Sequence, residues 1–311
     1  KKIIILGSSG FLGSHVCKIL NKTKLYKVIK ASSSSGQNFL YSNKTHQFIS
    51  KIKPEIIINC ASYGGSVHHV MKNPAFVIKN NLLILVNLYE AAEKLKKKPL
   101  IINALANCSY AAKLNTQTEN EWLDGPVHES VYSYGNITRM KYFVSKAWFE
   151  QYNLKSINLM FGGMYGPNDH LVDEKLHAFD GIILRMAKAK LSGAKSFSIW
   201  GSGKPIREYI YVKDAAKVIV KALSLKTIIL EPINVSQNLS LSINQIANVT
   251  KKAIGFKGKI IHDKSYKDGA FKKVLGKSKR FNIFFPNYKF TKFNKSVMET
   301  VNYYLKALKK F

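Results

Sequence analysis

Ile3–Leu6 runs directly into Gly7-Ser8-Ser9-Gly10-Phe11-Leu12-Gly13, so an apolar stretch of strand length is followed at once by three glycines at G-x-x-G-x-x-G spacing. No other feature constrains the chain as much. Glycines permit a tight strand-to-helix turn, let backbone N–H groups approach an anion, and let the next helix pack closely on a sheet. The positive N-terminal end of that helix then faces the anion. The spacing predicts a dinucleotide pyrophosphate site formed by Gly7, Ser9, Gly10, Phe11, Leu12 and Gly13. The plainer alternative is a strand-to-helix turn with no ligand.

Behind this turn, Ile3–Leu6, Lys27–Ala31, Glu55–Cys60, Leu100–Asn103 and Ser156–Phe161 read as strands, and Phe11–Leu20, Pro74–Lys97 and Val131–Tyr152 as helices. Such alternation predicts an α/β fold with a doubly wound parallel Rossmann sheet, because parallel strands need crossovers that are usually helical. After Gly166 the pattern breaks into a polar loop, a helix at Asp180–Lys190, strands at Phe197–Trp200 and Glu208–Val212, and a helix from Asp214. An amphipathic helix at Lys295–Leu308 closes the chain. The expected division is a dinucleotide-binding domain of residues 1–165 and 205–232, with a smaller, discontinuous α/β substrate lobe of 166–204 and 233–311.

Composition narrows the classes further. With 311 residues and 46% apolar content the chain can bury a large core, which excludes a disordered or fibrous protein. Its formal charge of +31 would suit a phosphate-rich partner. The excess is mostly lysine scattered along the chain without a nucleic-acid motif, so a solvated basic surface that attracts small anions is expected, and no nucleic-acid partner. No apolar run approaches the roughly 18 residues of a membrane span, so a soluble, cytoplasmic protein is expected. Cys17, Cys60 and Cys108 are odd in number and lack C-x-x-C spacing, which predicts reduced thiols and no metal.

The second strand ends in Lys30-Ala31-Ser32-Ser33-Ser34-Ser35, where a carboxylate would grip the ribose hydroxyls of NAD(H). Lys30 and Ser32 instead suit a 2′-phosphate, so NADP(H) is favoured, with NAD(H) and a ligand-free serine loop left open.

The chain resembles the extended short-chain dehydrogenase/reductases (the NAD-dependent epimerase/dehydratase family), and within them the GDP-L-fucose synthase branch. The resemblance is carried by Gly7-x-x-Gly10-x-x-Gly13, Lys53-Pro54-Glu55-Ile56-Ile57-Ile58-Asn59-Cys60-Ala61, Gly64-Gly65, Asn81, Cys108-Ser109-Tyr110 and Tyr134-Gly135. Further on, Tyr165-Gly166-Pro167-Asn168-Asp169 and Trp200-Gly201-Ser202-Gly203-x-Pro205-x-Arg207-Glu208 extend it.

The likeness implies a nucleotide-activated sugar as substrate and an epimerase or reductase activity. It implies cofactor contacts at Ala61 and Tyr134, and sugar-nucleotide contacts at Arg185, Trp200, Arg207 and Lys267. Tyr134 would move a proton at the sugar oxygen, and Cys108 with His177 would move protons at carbons beside a keto group. The family's lysine four residues after the tyrosine is Thr138 here, and its serine or threonine is Ala106. Asn107 is a substitute donor for the missing hydroxyl, Arg139 substitutes for the lysine only if the backbone shifts, and Tyr142-x-x-x-Lys146 spells the pair out of register. A catalytically impaired sugar-nucleotide-binding protein is the alternative. The family's pairing of long helices implies a homodimer.

Overall fold

The computed structural model describes residues 1–172, 176–225, 227, 229–266, 268 and 270–309. Its first half runs β1 (Lys2–Leu6), α1 (Phe11–Thr23), β2 (Lys27–Ala31), α2 (Ser42–Ile52), β3 (Ile56–Asn59), α3 (Val67–Lys72), α4 (Pro74–Glu93), β4 (Leu100–Ala106), β5 (Thr116–Gln117), α5 (Tyr132–Tyr152) and β6 (Ser156–Phe161). The second half runs β7 (Gly163–Tyr165), α6 (Ala178–Leu191), β8 (Ser196–Trp200), β9 (Ile206–Tyr211), α7 (Val212–Ala222), β10 (Ile233–Val235), β11 (Ser240–Ser242), α8 (Ile243–Ile254), β12 (Lys259–Asp263), β13 (Lys272–Leu275), α9 (Lys279–Phe284) and α10 (Phe293–Leu308).

Six strands form a parallel sheet in the order β10-β6-β4-β3-β1-β2. Strands covered by helices on both faces read as unbroken apolar runs. In β1, Ile3 and Ile5 enter one core with Val16, Leu20 and Val218, while Ile4 and Leu6 enter the other with Leu85, Leu88 and Tyr89. Asparagines at one level join the strands: Asn59 Nδ2 donates to Asn103 Oδ1 (3.2 Å), and Asn103 Nδ2 to Asn158 Oδ1 (3.0 Å). α4 is the one helix among the described residues long and apolar enough to cross a membrane by length and composition. In this fold its Val77, Leu85 and Leu88 are buried, and its Asn81 Nδ2 caps the Tyr63 carbonyl at 2.9 Å.

The second lobe holds a sheet of order β11-β9-β13-β5, with β7 against β9, and a pair β12-β8. Its core gathers Phe179, Ile183, Ile199, Tyr209, Ile246 and Val301. Two segments expected in this lobe belong elsewhere. Residues 233–235 complete the first sheet against β6, and the aromatic residues Phe281 and Phe285 pack on the first core. A three-residue strand after an irregular connection carries too little periodicity to be placed from its own sequence.

Asp214, fully buried in the first turn of α7, ties that helix to the segment leading into α10. It accepts from Thr291 N (2.7 Å), Thr291 Oγ1 (2.8 Å) and Lys217 Nζ (2.8 Å). Asp214→Ala removes the acceptor of the half-buried Thr291 amide and hydroxyl, so a loss of about 1–3 kcal/mol is expected, read from the urea unfolding midpoint.

Candidate active site

The glycine turn is closed by contacts no side chain would tolerate. Gly7 has φ +71°, and a Cβ there would lie 2.8 Å from the Ala61 nitrogen. A Cβ on Gly13 would lie 2.2 Å from the Gly7 carbonyl oxygen. Gly7 N donates to Ala31 O (2.8 Å) and Gly10 N to Gly7 O (2.9 Å), so the turn is moored to the ends of β2 and β3. Ser9 and Gly10 are exposed, and Phe11 and Leu12 open α1 behind them. This cradle fits a pyrophosphate, which needs backbone amides at a helix N-terminus and no side chain in the way. Lys30 is exposed at the end of β2. The serines after it form an ordered turn, in which Ser35 N donates to Ser32 O and Ser32 N to Ser35 Oγ, each at 3.0 Å.

Across the cleft, Tyr134 stands in the first turn of α5. Its ring lies against Gly64, where a Cβ would sit 3.3 Å from Cε2, and its Oη accepts from Ser62 Oγ at 2.9 Å. Enclosure pushes the phenol up to about 12, with the neighbouring Cys108 adding to the rise. Cys108 lies in the single turn Asn107–Ser109 that follows β4, and desolvation pushes its thiol up to about 12. Tyr134 and Cys108 are thus brought together.

The expected substitutes for the missing lysine and hydroxyl point elsewhere. Thr138 is buried and donates from Oγ1 to the Tyr134 carbonyl (3.1 Å). Asn107 Nδ2 donates to Gln117 Oε1 (3.0 Å), which directs it to β5. Arg139 is taken up by three carbonyls, those of Ser109 (2.8 Å), Gly125 (2.7 Å) and Trp122 (3.3 Å). Tyr142 packs edge-on to Trp122 with centroids 5.2 Å apart, while Lys146 is half-exposed and pairs with Glu150 at 3.8 Å.

Two residues at this site were not singled out in the sequence. One is Ser62, the donor to Tyr134; the other is Lys141, which is 6% exposed and donates to the Ala104 carbonyl at 2.9 Å. Burial lowers the Lys141 ammonium to about 8. The available signal was spacing, since seven residues are close to two helical turns and put Lys141 on the face of Tyr134.

From the second lobe, His177 immediately precedes α6. Its Nδ1 lies 3.4 Å from Asp169 Oδ2, and its ring centroid lies 6.3 Å from that of Phe11, beside the glycine turn. The Arg185 guanidinium sits 4.3 Å from the Trp200 ring centroid, and Trp200 stacks on Tyr266 at 4.8 Å. Arg207, on β9, donates to the Ile206 carbonyl (2.8 Å), and burial lowers its pKa. Lys267 lies outside the described residues.

Fold and site together define a dinucleotide-binding α/β enzyme with a second, smaller lobe. Residues 3–235 match the model of the NAD dependent epimerase/dehydratase family, and the chain belongs to that family. It is 26% identical to the probable GDP-L-fucose synthase of Drosophila melanogaster, over 98% of this chain and 97% of that one. It superimposes on a GDP-L-fucose synthetase from Naegleria fowleri with a TM-score of 0.87 at 26% identity, covering 99% of this chain and 94% of that one. The same Naegleria protein bound to NADP gives a TM-score of 0.85 at 24% identity, covering 99% and 94% of the two chains.

The two inner glycines should fail differently. Gly10→Val points its side chain into the exposed mouth of the cradle with its Cβ 3.2 Å from the Gly7 carbonyl oxygen, so dinucleotide titration should show binding lost with only a small fall in melting temperature. Gly13→Val collides with the Gly7 carbonyl, so both binding and melting temperature should fall.

Proposed function

We propose that this chain is an NADP(H)-dependent epimerase/reductase of the GDP-L-fucose synthase type, acting on a GDP-activated keto-hexose or a close heptose relative. One observation carries the reading: Cys108 lies beside Tyr134, and His177 of the other lobe reaches the helix that opens the glycine turn. On this reading, acid and base groups of both lobes serve one cleft.

A proton on a carbon next to a ketone is acidic because the anion left behind is delocalised onto the oxygen. Inverting that carbon requires one group to take the proton from one face and another to return a proton to the opposite face. Cys108 and His177 are that pair. Tyr134 then serves the keto oxygen, to which it gives a proton as the oxygen becomes a hydroxyl. A nicotinamide dinucleotide held at the glycine turn would supply the hydride for that reduction. Arg207 and Arg185 are the cations for the diphosphate, for which a planar guanidinium offers paired donors.

The NADP(H) preference is supported by the exposed Lys30 and the serine turn at the end of β2, and by the NADP in the Naegleria relative. Exposed Phe76 and Leu83 on α4, with Met140 and Phe143 on α5, support a homodimer through these helices.

The test uses GDP-4-keto-6-deoxymannose in deuterated water with NADPH or NADH. Wild type should incorporate deuterium beside the keto group and oxidise NADPH faster than NADH. Cys108→Ser and His177→Gln should each cut incorporation by about 100- to 10,000-fold while NADPH binding persists. Arg207→Ala should weaken GDP-sugar binding by about 10- to 100-fold. A folded wild type that turns over no GDP-sugar or UDP-sugar with either cofactor would sink the proposal.

A further inference from the structure

The helix that carries Tyr134 also carries a buried ammonium to which the reading above gives no task. Lys141 is 6% exposed and lies two turns beyond Tyr134 on the same face of α5. Its Nζ has three N–H bonds, and one of them goes to the Ala104 carbonyl, two residues before the end of β4. No other acceptor stands against it among the described residues. The ionisable groups facing it are thiols: Cys60, just past β3, and Cys108, just past β4. No carboxylate accompanies them. Thr138, on the same helix between Tyr134 and Lys141, has its hydroxyl committed to the Tyr134 carbonyl.

Burying a cation without an anion is costly, and a methionine would fill the same space at no such cost. The place of the ammonium suggests what offsets it. Cys60 precedes Ala61, whose nitrogen abuts Gly7 of the phosphate turn. Lys141 therefore ends beneath the carboxyl ends of β3 and β4, beside the dinucleotide cradle, which is where a doubly wound sheet binds its ligand. The oxygens such a ligand brings to that point are hydroxyls of the ribose beyond the pyrophosphate.

We propose that Lys141 is the cation of the cofactor site, its spare N–H groups holding the ribose hydroxyls on the nicotinamide side, and that it serves from almost one helical turn beyond position 138. This rests on the dinucleotide reading above. It makes the threonine at 138 a change of register in place of a loss of charge.

The experiment is NADP(H) titration of wild type, Lys141→Met and the double variant Lys141→Met/Thr138→Lys, with melting temperatures measured in parallel. Lys141→Met should keep or raise the melting temperature, because a buried charge is removed, and should weaken NADP(H) binding by about 10- to 100-fold. Adding Thr138→Lys should recover most of that loss. Because burial holds the ammonium near 8, wild-type affinity should also fall as pH rises from about 7 to about 9.5, whether or not Cys60 and Cys108 are replaced by serine. A Lys141→Met variant that binds NADP(H) as tightly as wild type overturns the assignment. If that variant fails to fold, a flat pH dependence in the wild type overturns it instead. A wild type that binds no dinucleotide at all sinks this inference and the functional reading together, whereas an insensitive variant of a binding wild type sinks this inference alone.

Discussion

The approach of α5 to the turn after β4 sets the geometry of the whole site. Gly135 rests on the Cys108 carbonyl so closely that a Cβ there would be 2.8 Å from the oxygen. Any side chain at 135 would lift the helix off the turn and take Tyr134 with it. The contact is secured from the side, where Arg139 gathers the carbonyls of Ser109, Trp122 and Gly125, and Trp122 Nε1 donates to Ser109 Oγ at 3.0 Å. One small residue and one clamped guanidinium thus hold phenol and thiol in the same pocket. Arg139 is spent on this architecture, which is why it does not lend its charge to the tyrosine.

Residues whose requirements are local were legible before folding. The glycine turn announces itself because φ and close packing leave no other residue type, and the central strands do so because burial on both faces makes them apolar throughout. The shortest strands of both sheets were much less legible. β5, β7, β10 and β11 are two or three residues long, and each is defined by a partner far away in the chain. Within the candidate site, Tyr134, Cys108 and His177 were singled out through the family resemblance. Lys141 was not, because one lysine among so many carries no mark of burial in the sequence. The direction of Asn107 also lay beyond the sequence, since it depends on where β5 passes.

With 49 lysines and arginines against 18 acids, most cations cannot find a carboxylate, and several side chains show how the fold accommodates this. Lys190 donates to the carbonyl of Ile254, the last residue of α8, where the negative end of the helix dipole welcomes a cation. Lys273 donates to Ala112 and Leu114, Arg280 to Pro232, and Lys141 to Ala104. Backbone oxygens stand in for the missing counter-ions. A carbonyl carries only a partial charge, so each such cation keeps attraction to spare for an anionic or hydroxyl-rich ligand.

The chain leaves the first sheet at Phe161 and enters the second at Gly163, with Gly162 alone between β6 and β7. A Cβ on Gly162 would lie 3.1 Å from the Glu208 carbonyl, so this joint is pressed against β9 instead of spanning open solvent. β9 carries Arg207 at its other end and pairs with β7 along Gly163–Tyr165. At this joint the second lobe is therefore packed directly against the sheet that carries the glycine turn. If the proposed substrate class holds, a joint packed in this way would leave discrimination between sugars to side chains already in place, much as a fixed caliper measures by its gap and not by how far its jaws can travel.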